Sequence, residues 1–248
     1  MKKLLLLAVM LLLAACGNEA DESGAQTPEG QNEETVESPE GESQPEEEEE
    51  SSMTASELLD EASSAWGDTV SYEARQTSTI SSGESQYVVR TITTRSEADE
   101  IKVEVDDGEE IKTHYIVEGE HFIYQGGSTE AQDTPREIGG SEYGVLISDL
   151  EPYREGTLTE VESGYELRYT MDEKADAEPF FNDGMADMLD DVDTFSGQVT
   201  LQFNDEYQYT GAKFTLTVGA GEEEMNVISN ITMDRIGEVD RIEKPKNM

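Results

Sequence analysis

The 248-residue chain has one cysteine, two histidines, one tryptophan, and only 16 Lys+Arg against 58 Asp+Glu. A single thiol excludes an internal disulfide. The shortage of cations, with a formal net charge of −42, excludes nucleic acid as a partner, because binding to phosphates depends on clustered Lys and Arg. Mean hydropathy is −0.63, and the only apolar run approaching spanning length is residues 4–13, which rules out a multi-span membrane protein. Catalytic signatures are missing as well. Gly139-Gly140-Ser141-Glu142-Tyr143 lacks the second glycine of a G-x-S-x-G elbow. There is no Walker loop, and neither Gly108 nor Gly184 follows the spaced ligands of an EF-hand. Carboxylates are so abundant that no pair of them marks a glycosidase site. The sequence is therefore read as non-enzymatic.

The basic start Met1-Lys2-Lys3 followed by ten apolar residues has the layout of a secretion signal, too short to persist as a membrane span. Leu13-Ala14-Ala15-Cys16-Gly17 resembles the bacterial lipobox, which implies a signal peptide over residues 1–15 and a diacylglyceryl group on the Cys16 sulfur. Two acyl chains are enough for stable attachment, so the expected location is extracytoplasmic and anchored to the cell membrane. Residues 17–52 hold 14 Asp or Glu, no Lys or Arg, and one large aliphatic residue, Val36. Such a stretch cannot bury enough apolar surface to offset its chain entropy. Residues 16–52 are thus read as a lipidated cysteine plus a disordered acidic tether, with an r.m.s. span of roughly 30–35 Å. Residues 53–248 keep a net charge of −30; this much self-repulsion suggests adaptation to a saline or alkaline habitat.

That third segment opens with Thr54-Ala55-Ser56-Glu57, a capping box, with Met53 and Leu58 at the positions of a hydrophobic staple. Leu58, Leu59, Ala62, Ala65 and Trp66 recur at helical spacing, and Gly67 is placed to end the helix in the left-handed region. The period then changes to two. About ten strands are expected: one through Val70, Tyr72 and Ala74, then 87–93, 101–105, 111–117, 121–124, 157–161, 165–171, 196–204, 207–218 and 225–234. Helical patterns interrupt them at 141–150 and around Phe180, Phe181, Met185, Met188 and Leu189. The fold class is α+β, mainly β: a strongly curved antiparallel sheet, a half-open β-barrel, with two or three helices covering its concave side.

Both histidines fall in one hairpin. With Glu118-Gly119 as a two-residue turn, Ile116 faces His121 and His114 faces Ile123, so the imidazoles share one sheet face on a diagonal. A zinc site needs at least a third ligand, and neither a metal nor a cofactor is assigned. The other face carries Tyr115, Val117, Phe122 and Tyr124, and is expected to point to the apolar interior.

The order of lipobox, polar tether, capped helix, β-meander with the Tyr115 to Tyr124 hairpin, mid-chain helix and last long hairpin resembles the LolA/LppX-type lipoproteins, in particular a branch from Bacillus-like bacteria. The resemblance covers roughly residues 53–245 and rests on element order, with no catalytic motif to transfer. It implies a half-barrel closed by helices around an apolar cavity that holds acyl chains or lipoproteins. The residues assigned to such a cavity are Trp66, Tyr72, Tyr115, Phe122, Tyr124, Leu146, Leu150, Phe180, Phe181, Met185 and Met188, all of which would serve equally as filled core. The function expected is the binding or carrying of an apolar or amphipathic ligand, with the membrane, a lipid and an envelope protein as partners. An interaction module with a filled core that recognises a protein or cell-wall glycan is the alternative, and an envelope hydrolase a weaker one.

Overall fold

In the computed structural model, which describes residues 53–132, 140–177, 192–221 and 223–244, the capping box forms as the sequence predicts. The Thr54 backbone N–H donates to Glu57 Oε2 at 2.8 Å, and the Glu57 N–H donates to Thr54 Oγ1 at 3.2 Å. Together these satisfy donors that the first helical turn leaves open. Helix α1 (Ala55–Trp66) buries Ala55, Leu58, Leu59 and Ala62, with Met53 packed beside them. Burial of a leucine side chain contributes about 2 kcal/mol, so this stripe docks the helix on the sheet. Ala65 is exposed, and Gly67 is right-handed at φ −61° rather than left-handed.

A Cβ at Gly67 would meet the Ser63 carbonyl of its own helix, and a second glycine is required across the gap. Helix α2 (Tyr143–Ser148) starts against the end of α1, with the Tyr143 and Gly144 N–H groups donating to the Val70 and Thr69 carbonyls at 3.2 and 2.9 Å. A Cβ at Gly144 would collide with the Gly67 carbonyl. The sequence pattern over 141–150 therefore becomes a short α-helix followed by a 3-10 turn, Glu151–Glu155.

Eleven strands form one antiparallel sheet: β1 (Tyr72–Ser82), β2 (Ser85–Arg95), β3 (Ile101–Asp106), β4 (Ile111–Val117), β5 (Glu120–Gln125), β6 (Ser128–Gln132), β7 (Thr157–Val161), β8 (Gly164–Met171), β9 (Thr194–Phe203), β10 (Tyr209–Ala220) and β11 (Glu223–Asp234). Their order, β6-β5-β4-β3-β2-β1-β11-β10-β9-β8-β7, joins two meanders through β1 and β11. The curved sheet stays open, with β6 and β7 as its edges. Strand β6 is the one the pattern does not predict: Ser128-Thr129-Glu130-Ala131-Gln132 has no apolar alternation and is held by pairing with β5. A third short helix, α3 (Lys174–Ala177), follows β8. The mainly β, α+β fold expected from the sequence is the fold of the chain.

Two apolar clusters occupy the helix-covered face. Cluster one joins α1 and α2 to Tyr72, Ala74, Leu167, Leu201, Phe203, Tyr209, Ala212 and Met233, which come from β1, β8, β9, β10 and β11. Reaching five strands from one pair of helices requires the sheet to bend around them. Cluster two lies toward the other strand ends, where α3 contributes Ala177 to Ile80, Met171, Phe195, Leu216, Val218, Met225 and Val227.

Candidate functional site

Strand register fixes which side chains meet on the helix-covered face. Across its middle runs one row, Tyr169, Val199, Phe214, Ser229, Ser78 and Val89, contributed by β8, β9, β10, β11, β1 and β2 in turn. On the cluster-two side the equivalent positions include Leu216, Val227 and Ile80, all buried. The middle row differs. Its large apolar members, Tyr169, Val199, Phe214 and Val89, are half-buried, as is Ile231 in the next row. Its two serines are fully buried at 0–1% exposure. The row thus sets two small, buried polar side chains between larger, half-buried apolar ones.

Gln76 joins these two serines. It pairs with Ile231 and Thr91, so it shares the face with the serines. Its Nε2 donates to Ser229 Oγ at 3.0 Å, and the hydroxyls of Ser78 and Ser229 are 2.8 Å apart. The signal for this trio was present in β1, where Tyr72, Ala74 and Ile80 have the same parity as Gln76 and Ser78.

The residues that sequence reasoning assigned to a cavity are divided by the structure. Tyr72, at 1% exposure, and Leu150 belong to the buried part of cluster one, while Trp66 and Leu146 pack half-buried against it. The Trp66 indole N–H donates to the Glu206 carbonyl at 2.9 Å. Tyr115, Phe122 and Tyr124 stand on the opposite face. The register Tyr72–Arg95–Ile101–Ile116–His121 puts the histidines on the helix side, and alternation sends Tyr115 and Phe122 the other way. There Phe122 and Val117 are buried, with Lys244 Nζ of the C-terminal segment 5.7 Å from the Phe122 ring centroid, while Tyr124 is 38% exposed. These three do not meet Tyr72. Cys16, Phe180, Phe181, Met185 and Met188 lie outside the described residues.

The two histidines pair as neighbours, His114 Nδ1 to His121 Nε2 at 3.2 Å, with rings 5.5 Å apart and near-parallel. Among the described residues no group of three or more His, Cys, Asp or Glu is arranged to hold a metal. A depression of about 400 Å³ between α1, α2 and the 3-10 turn is lined by Leu59, Ile147, Asp60, Glu151 and Arg154 among others. Asp60 and Glu151 lie 2.7 and 2.6 Å from the Arg154 guanidinium, so its one cation is already neutralised.

No family model and no curated protein matches the chain. Among solved structures it is similar to LprF from Mycobacterium bovis, at 11% identity and a TM-score of 0.41, over 77% of this chain and 96% of that one. It is also similar to the LolA superfamily protein NE2245 from Nitrosomonas europaea, at 8% identity and a TM-score of 0.30, over the same shares of the two chains.

Proposed function

We propose that this chain is an extracytoplasmic lipoprotein, anchored through a diacylglyceryl group on Cys16, that carries an apolar or amphipathic lipid-like ligand on the helix-covered face of its open sheet. It acts as a carrier rather than an enzyme. The observation that supports this reading most directly is the half-buried middle row: Tyr169, Val199, Phe214 and Val89 lie between two well-packed clusters without being sealed by either. Filled interiors bury such side chains completely, because each exposed aliphatic or aromatic group forgoes about 1.5–3 kcal/mol. An apolar trough with a few polar groups is the usual form of a small-molecule site. The lipobox and the acidic tether complete the picture of a domain held clear of a membrane surface.

Native mass spectrometry tests the carrier reading on the full chain bearing Cys16→Ser, which cannot be acylated. One co-purifying or added lipid per chain is the expected result. Recovery without lipid, together with no uptake of added lipid, overturns it and favours an interaction module. The anchor is tested separately by cell fractionation, in which Cys16→Ser moves the protein from the membrane to the soluble fraction.

A further inference from the structure

The amide of Gln76 is 5% exposed, and its Oε1 has no hydrogen-bond partner. Turning the amide over does not cure this, since only one of its two polar ends meets the serines. A buried amide end without a partner is disfavoured, and native proteins retain few of them. In the register Gln76 stands beside half-buried Ile231 and one row from half-buried Phe214.

The chemistry of the missing partner is constrained. A carboxylate or phosphate would bring a second negative oxygen to a carbonyl oxygen, in a chain of net charge −42. A hydroxyl carries no charge and serves the free end in either orientation of the amide, donating to Oε1 or accepting from the amide N–H. We propose that Gln76, held by Ser229 and Ser78, is the specificity-determining group of the trough and forms a hydrogen bond with a hydroxyl of an uncharged amphipathic ligand. The ligand's hydrocarbon part then lies along Phe214, Val199 and Tyr169. This inference rests on the carrier reading and adds to it the class of ligand.

Two probes with the same acyl chain separate the inference from that reading: monooleoylglycerol, which has two free hydroxyls, and methyl oleate, which has none. Each is titrated into the unacylated full chain against bound N-phenyl-1-naphthylamine, whose fluorescence reports displacement. Wild type is expected to bind monooleoylglycerol at least about tenfold more tightly, the range in which a site built for a hydroxyl rejects an analogue without one. Gln76→Leu is expected to abolish that preference while keeping affinity for methyl oleate. Should the leucine variant fail to fold, as judged by circular dichroism, Gln76→Met provides the same loss in an unbranched side chain. Equal binding of both probes to wild type, or a preference that survives loss of the amide, overturns the proposal and leaves the carrier reading in place. Binding of neither probe overturns both.

Discussion

The Tyr143 hydroxyl donates to the Tyr209 carbonyl at 2.7 Å, a bond across the interface between helix α2 and strand β10 with both residues buried. Burial pushes the Tyr143 phenol well above its ordinary pKa, so it stays a protonated donor. Tyr143→Phe keeps the ring and removes the donor. Stability is expected to fall by about 1–2 kcal/mol, seen as a lower urea midpoint with an unchanged slope. The raised value has a second effect. Above pH about 10 the unfolded chain ionises at this position while the folded chain does not, so stability is lost with rising pH, and the phenylalanine variant lacks that part of the alkaline loss. An unchanged midpoint would show that the bond contributes nothing.

Gly144 is expected to be the least replaceable glycine near the helices. Alanine there drives a Cβ into the Gly67 backbone, which is rigid, rather than into a side chain that can move. Overpacking of this kind costs about 1–3 kcal/mol. Thermal unfolding of Gly144→Ala should show a drop of several degrees, and Ser148→Ala, on the exposed side of the same helix, should change little.

Local chemistry was legible in the sequence, and placement across layers was not. The Thr54 and Glu57 capping box and the Glu118-Gly119 turn depend on a few adjacent residues. Both form, the turn with φ of 55° and 78° and the register Tyr115 to Phe122 that alternation requires. Strand β6 has a polar sequence and owes its existence to its neighbour. Which face the helices cover is decided by long-range packing: Val117 and Phe122 are buried as their alternation requires, but on the face opposite Tyr72. Gln76 and Ser78 keep the parity of Tyr72 and Ile80. Their polarity hid them, because a polar residue in an alternating strand is ordinarily assigned to solvent.

The capping box also predicts a pH dependence. Hydrogen bonds from the Thr54 N–H, then from its hydroxyl, hold the Glu57 carboxyl below its ordinary value. A depressed value in the folded state adds stability that is fully present above the unfolded value near 4.5 and is lost as pH falls through the folded one. Wild type and Glu57→Ala should therefore differ in melting temperature at pH 7 and converge as pH falls through the depressed folded value, below which the carboxylate is protonated in both states of the chain. A difference that persists unchanged at low pH would assign the effect to helix propensity instead.

Charge gives the last prediction. The segment from residue 53 onward has a net charge of −30 with 14 Lys or Arg to offset it. Those cations are used locally: Arg95, at 1% side-chain exposure, meets Asp99 and Glu142 at 2.6 and 3.2 Å, and Lys244 meets Glu118 and Glu120 at 2.8 Å each. Most carboxylates consequently face one another through solvent. Salt acts on the two populations in opposite directions, weakening the few exposed pairs and screening the many repulsions, with a Debye length that falls from about 10 Å at 0.1 M to 3 Å at 1 M. Exposed pairs contribute at most about 1 kcal/mol each, so the repulsions dominate the balance. Raising salt from about 0.05 to 2 M is expected to increase the melting temperature by several degrees. Most of that rise should appear below about 0.5 M if screening causes it, and sodium chloride and potassium chloride should act alike. A flat response would mean that the acidic surface is already spaced widely enough not to oppose folding, and the case for a saline habitat would fall with it.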